Sequence, residues 1–146
     1  NDGAAALVLS SEDADCGVEP LARVAGRGTH ALAPQDFGLA PVEAAEKALA
    51  RAGISWSDVG AVELNEAFAV QSLACLDAWR IDPDIVNAWG GAIALGHPLG
   101  ASGARIVGTL AHLLRSTGER WGVAAICIGV GQGLAVVLEN VAVEPR

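Results

Sequence analysis

Two stretches of this sequence, Ile85–Ala104 and Gly122–Leu138, contain no Asp, Glu, Lys or Arg, yet glycine interrupts both. Each is near the length of a membrane span, which needs about twenty mainly apolar residues. The first, however, holds Gly90-Gly91 and Pro98, and the second is broken by Gly129-Val130-Gly131-Gln132-Gly133. Glycine breaks and polar side chains inside apolar runs fit buried strands and helices of a soluble α/β protein better than a lipid-facing helix. Composition sharpens the point. Apolar residues make up 52 % of the 146 positions before the 18 glycines are counted, and only 18 % are charged. Average usage is roughly 45–50 % apolar with glycine included and about 25 % charged. A domain of this size buries only about 70 % of its unfolded surface, so some apolar surface is expected to need a partner. The chain also lacks methionine and begins with Asn1, and so reads as the back part of a longer protein.

A formal charge of -8 and a pI near 4.7 argue against general binding to nucleic acid or anionic membranes. No Lys/Arg cluster offers a phosphate footprint. Cys16, Cys75 and Cys127 are odd in number and lack framework spacing, so a reducing compartment is expected rather than a disulfide scaffold. No metal-ligand pattern is present, and no metal is expected.

The chain reads as one α/β domain over 1–146, in the order β-β-α-β-α-α-β-β. Ala4–Ser10 is a short apolar run, expected as a buried strand, and a second begins at Leu21–Val24 and runs towards Leu32 despite its glycines. From Pro41 the period becomes helical, with Val42, Ala45, Leu49 and Ala52 on one face and Gly53 as the stop. Ala61–Leu64 is a strand, and Asn65 opens a helix from Glu66 to about Trp79 that is apolar all round and hence expected to be buried on all sides. The next helix, Ala101–Leu114, carries a stripe of small residues: Ala101, Ala104, Gly108 and Ala111. Val123–Ile128 and Leu134–Leu138 close the chain as strands around a glycine-rich turn.

Three segments stand apart. Asn65-Glu66-Ala67-Phe68 sits at a strand-to-helix junction, where an asparagine is most often a simple N-cap. The alternative is a carboxamide at the C-terminal end of a strand, where α/β sites gather. Asn87 to Gly103 is dense in glycine and carries His97 just before Pro98 and a helix start. No Gly-Lys-Ser/Thr follows, so it is not a Walker loop. Cys127-Ile128-Gly129-Val130-Gly131-Gln132-Gly133 has GxGxG spacing and leads into a strand, which rules out a dinucleotide fingerprint. A buried cysteine there is, taken alone, more often an inert small hydrophobe.

Together, and in this order, the Asn-Glu-Ala-Phe segment, the Gly-His-Pro loop and the Cys-x-Gly-x-Gly-x-Gly loop resemble the C-terminal motifs of the thiolase family, and the resemblance runs from Asn1-Asp2-Gly3 onward. It implies a thiolase-like fold of which this chain is the C-terminal half: a mixed sheet with buried helices, one half of an αβαβα layered core. It implies acyl transfer between 3-ketoacyl-CoA and CoA, or the reverse Claisen condensation, in a cytoplasmic enzyme of the kind used in β-oxidation and other fatty acid metabolism. Coenzyme A thioesters would be substrates, with no bound cofactor. By the same resemblance His97 activates a nucleophilic cysteine and donates to one oxyanion site, whose water Asn65 holds. Cys127 is the second acid/base, the N–H of Gly129 serves the other oxyanion hole, and Phe68 and Ala67 line the pocket. The nucleophilic cysteine belongs to the N-terminal half, the implied partner, in a homodimer or homotetramer. Nothing here replaces it: Cys75 reads as core filler and Cys16 as a loop thiol, and His30 and His112 lack motif context. The alternative is a free-standing, inactive chain that binds acyl-CoA or a thiolase subunit. Ketoacyl synthases share the fold but generally place His or Asn where Cys127 stands.

Overall fold

The computed structural model describes residues 1–143; the last three positions of the 1–146 domain expected from the sequence lie outside the described residues. Four strands form one mixed sheet in the order β1-β4-β3-β2. They are β1 (Arg23–Ala31), β2 (Val59–Leu64), β3 (Trp121–Ile128) and β4 (Gln132–Glu139). β1 and β3 flank β4 antiparallel, while β2 joins β3 in parallel. That parallel step needs a crossover, which α2 (Ala69–Trp79), the single turn α3 (Ala92–Leu95) and α4 (Leu99–Thr117) provide.

Helix α1 (Ala40–Ala52) ends at Gly53 in the left-handed conformation, as its sequence signals. Its face of Ala44, Ala45, Ala48 and Leu49 packs with Val62, Leu64, Val123, Ala125 and Val137 on one side of the sheet, together with Cys75 and Trp79 of α2. The glycines of β1 have their reason here: a Cβ at Gly26 or Gly28 would overlap the carbonyl oxygen of Ala48 or Ala44. On the other side Ile106, Leu110, Leu113 and Leu114 of α4 cover Ala61, Ala124 and Leu138. Because alternate residues of β2 and β3 enter opposite cores, both strands are buried on two faces, which explains their mainly apolar sequences, with Glu63 of β2 the buried exception. The result is a helix–sheet–helix unit, a mixed sheet with helices as the resemblance implies.

Two expectations are corrected. Ala4–Ser10 is neither a strand nor buried; Val8 is 94 % exposed and Leu9 78 %. A strand exists only through a paired neighbour, and no strand of the described residues pairs with this run. It lies instead beside α4, with Leu7 3.4 Å from where a Cβ of Gly108 would stand, which uses the small-residue stripe. Nor is α2 buried all round: Gln71, Cys75 and Trp79 face the core, while Val70 and Leu73 are exposed. Among the described residues no helix is long and apolar enough to cross a membrane.

Candidate active site

Asn65 follows the last residue of β2 and is fully buried. Its backbone N–H donates to Ala125 O at 2.9 Å, so pairing with β3 fixes its place at the C-terminal end of the sheet. It is not an N-cap. Helix α2 starts only at Ala69, with Phe68 in the cap position and no side-chain cap bond. Residues 65–68 stay out of the helix because their polar side chains are engaged elsewhere. The Asn65 Nδ2 stands 3.4 Å from His97 Nε2, and the Glu66 carboxylate accepts from Asn87 Nδ2 and from the backbone of Ile93, both at 2.9 Å.

Those two bonds from Glu66 hold the glycine-rich loop. Val86 bridges Val62 of β2 in parallel, and Asn87 follows it at φ 51°. Its side chain accepts from Leu64 N and donates to Leu64 O, each at 2.9 Å, and its own N–H donates to Val62 O. Glu66 then sits at the N-terminus of α3, where a negative charge is favoured. A Cβ at Gly91 would overlap that carboxylate, so a side chain there would have to displace Glu66 from its two bonds. Helix α3 ends at Gly96 (φ 92°), and the next residue is His97.

His97 is half-buried, between that turn and Pro98, which restricts its backbone. Its other ring nitrogen, Nδ1, lies 2.6 Å from Ser102 Oγ, in the first turn of α4. Both ring nitrogens thus meet neutral partners.

Cys127 is the penultimate residue of β3 and is 7 % exposed. Leu64 pairs with Ala125 in the parallel ladder, so Cys127 lies near the C-terminal end of the strand next to the one that Asn65 follows. Among the described residues no hydrogen bond links it to Asn65 or His97. Burial pushes its thiol above the ordinary value, with its own backbone pulling weakly the other way; the neighbouring charges that lower a reactive thiol are not what governs it here. Gly129 lies exposed in the turn to β4, where a Cβ would meet open space. Ala67 and the 58 %-exposed Phe68 occupy the loop after Asn65, and Phe68 stacks edge-on against Phe37. Two clefts among the described residues, about 270 and 380 Å³, border β1 and include none of these residues.

Of the other candidates, Cys75 is wholly buried in α2 and its thiol is pushed up to about 11 by burial, as suits core filler. Cys16 is an exposed, free thiol. His30 Nδ1 lies 3.0 Å from Lys47 Nζ at the edge of β1, and His112 is exposed on α4. No cluster of metal-ligating side chains occurs among the described residues.

Sequence reasoning passed over Glu66, Asn87 and Ser102. Asn87 and Ser102 had a usable signal. They are polar side chains in a stretch otherwise buried by its own composition, and buried polar groups must find partners.

A family model described as the C-terminal domain of thiolase matches residues 18–140. The beta-ketoadipyl-CoA thiolase of Pseudomonas putida is 51 % identical over 145 residues, covering 97 % of this chain and 36 % of that protein. A probable acetyl-CoA acyltransferase of Staphylococcus aureus is 50 % identical over 142 residues, 96 % of this chain and 36 % of its own length. The crystal structure of human mitochondrial 3-ketoacyl-CoA thiolase matches with a TM-score of 0.82 at 47 % identity, over 84 % of this chain and 31 % of that one. The chain thus spans little more than a third of the length of the curated relatives it matches.

Proposed function

The chain belongs to the thiolase family, and we propose that it acts as the C-terminal catalytic domain of an enzyme moving acyl groups between 3-ketoacyl-CoA and CoA. The observation that carries this reading is the meeting of Asn65 and His97 at the C-terminal end of β2, with Cys127 near the end of the adjacent strand. Three segments far apart in sequence converge on one edge of the sheet, where α/β proteins place their chemistry.

In the thiolysis direction, a cysteine thiol of the N-terminal half gives its proton to His97 Nε2, and the thiolate attacks the 3-keto carbonyl. The oxyanion formed there is stabilised by donors preorganised around it, for which Gly129 N–H is the candidate in this chain. The bond between C2 and C3 then breaks. The enolate of acetyl-CoA leaves with its oxygen facing His97 and a water held by Asn65, and its carbon takes the proton of Cys127. A buried thiol with a raised pKa keeps that proton until it is needed, which suits this step. The Cys127 thiolate next removes the proton of an incoming CoA thiol, whose sulfur attacks the acyl-cysteine. Acyl-CoA departs and the nucleophilic cysteine recovers its proton from His97. Thiol-to-thiol transfer involves little energetic mismatch, a reason for a cysteine in this place. Ala67 and Phe68 flank Asn65 and would bound the acyl chain or pantetheine.

Cys127→Ser tests the assignment in the enzyme assembled with its N-terminal half. The hydroxyl is a far weaker acid, so turnover should fall by about a hundredfold or more with the fold intact by circular dichroism. Near-full turnover in a folded variant contradicts it.

A further inference from the structure

We propose that Ser102 is a positioning residue for His97, holding the imidazole as the tautomer with hydrogen on Nδ1 and a lone pair on Nε2. Three observations carry this. Ser102 is completely buried, in the first turn of α4, so its hydroxyl has a fixed place. Its Oγ lies 2.6 Å from Nδ1, the shorter of the ring's two hydrogen bonds, against 3.4 Å from Nε2 to Asn65 Nδ2. Asn65 presents an N–H₂ donor to Nε2, which therefore has to offer a lone pair, and a neutral imidazole has only one bare nitrogen.

The consequence for chemistry follows directly. A base acts through its bare nitrogen, and which one is bare depends on what the other bonds. With Nδ1–H donating to Ser102, Nε2 is the nitrogen left to accept a thiol proton. Unlike the carboxylate that orients histidine in many hydrolases, Ser102 is neutral. It fixes direction without stabilising the imidazolium, so the proton can be returned at the end of the cycle. The restraint is built from both sides of the loop, since Glu66 and Asn87 hold its start and Ser102 holds the ring from the helix that follows.

The catalytic consequence rests on the proposed acyl-transfer function; the tautomer does not, and the test separates them. Long-range proton–nitrogen spectra of the isotope-labelled chain at alkaline pH, assigned with His97→Gln, read which ring nitrogen carries hydrogen. The expected result is Nδ1–H in the wild type and in Ser102→Thr, which keeps the hydroxyl, and a shift to Nε2–H in Ser102→Ala. An Nε2–H ring in the wild type, or a ring indifferent to Ser102→Ala, overturns the proposal. In the assembled enzyme Ser102→Ala should lower kcat about ten- to a hundredfold, as when a histidine's outer partner is lost at a metal site, with KM unchanged and Ser102→Thr restoring the rate. A tautomer that behaves as stated in an enzyme without CoA-dependent turnover leaves the proposal standing and removes the thiolase reading instead.

Discussion

Val130 stands at the tip of the β3–β4 turn with φ at 69°, a conformation that a β-branched side chain adopts only under strain. The side chain is 79 % exposed, so packing gives little in return. Left-handed backbone costs a non-glycine residue about 1–2 kcal/mol, of which glycine's greater unfolded-state freedom takes back a part. Val130→Gly should therefore stabilise the chain by about 1 kcal/mol, read as a higher urea midpoint. Glu63 makes a second test at this scale. Both its carboxyl oxygens are buried without a hydrogen-bond partner. Burial pushes its pKa from 4.5 up to about 7; Arg105 opposes the rise and Glu66 adds to it. The folded state thus holds this proton more tightly than the unfolded chain. Its stabilisation is complete below about pH 4.5 and is lost as pH rises to about 7, on the order of 3 kcal/mol. Denaturant titrations should show Glu63→Gln gaining on the wild type across that window. A constant difference between the two would mean that Glu63 stays ionised in the fold. Asn65, by contrast, was half legible in sequence: its place after a strand was readable, but that it does not cap a helix was not, because its partner His97 and the partners of Glu66 lie more than twenty residues away and prevail over local capping.

Among the elements, the β1–α1 pair shows how tightly this fold is drawn. Gly26 and Gly28 let the backbones of strand and helix approach, and Gly133 does the same for β4 beneath the start of α1. Gly28→Ala should cost about 3 kcal/mol or more, since the added methyl meets main-chain atoms that cannot swing aside. Loss of the native transition at moderate urea would show it. The glycine-rich loop depends on charge in place of packing. Glu66→Gln puts an amide where Asn87 Nδ2 and Ile93 N both need an acceptor, so one bond must fail. Hydrogen exchange should speed up at Ile93 and through Leu95 and Gly96 while β3 stays protected. Elements whose pattern is set locally were readable: α1 from its face of Val42, Ala45, Leu49 and Ala52 with Pro41 and Gly53, β1 from its start near Leu21–Val24, and β3 and β4 from apolar runs bounded by turns. The run Ala4–Ser10 and the outer face of α2 were not, because a periodicity states that a surface is apolar and not what lies against it.

At the scale of the molecule, one sheet with α1 and α2 on one face and α4 on the other brings three motif segments to a single edge. Nothing in the local pattern of Asn65, His97 or Cys127 states that the first two meet or that the third lies on the neighbouring strand; the parallel β2–β3 pairing and the crossover towards α4 bring that about. Under the function proposed above, this edge would form one side of an acyl-transfer site whose nucleophile belongs to an N-terminal half. A graft tests it most directly: residues 18–140 of this chain replacing the matching part of the Pseudomonas putida thiolase, assayed for CoA-dependent cleavage of a 3-ketoacyl-CoA. The account predicts turnover in the graft and a loss of about a hundredfold or more when His97→Ala is added, with the folded state unchanged. A folded graft that turns over equally well with and without the His97 imidazole would contradict it.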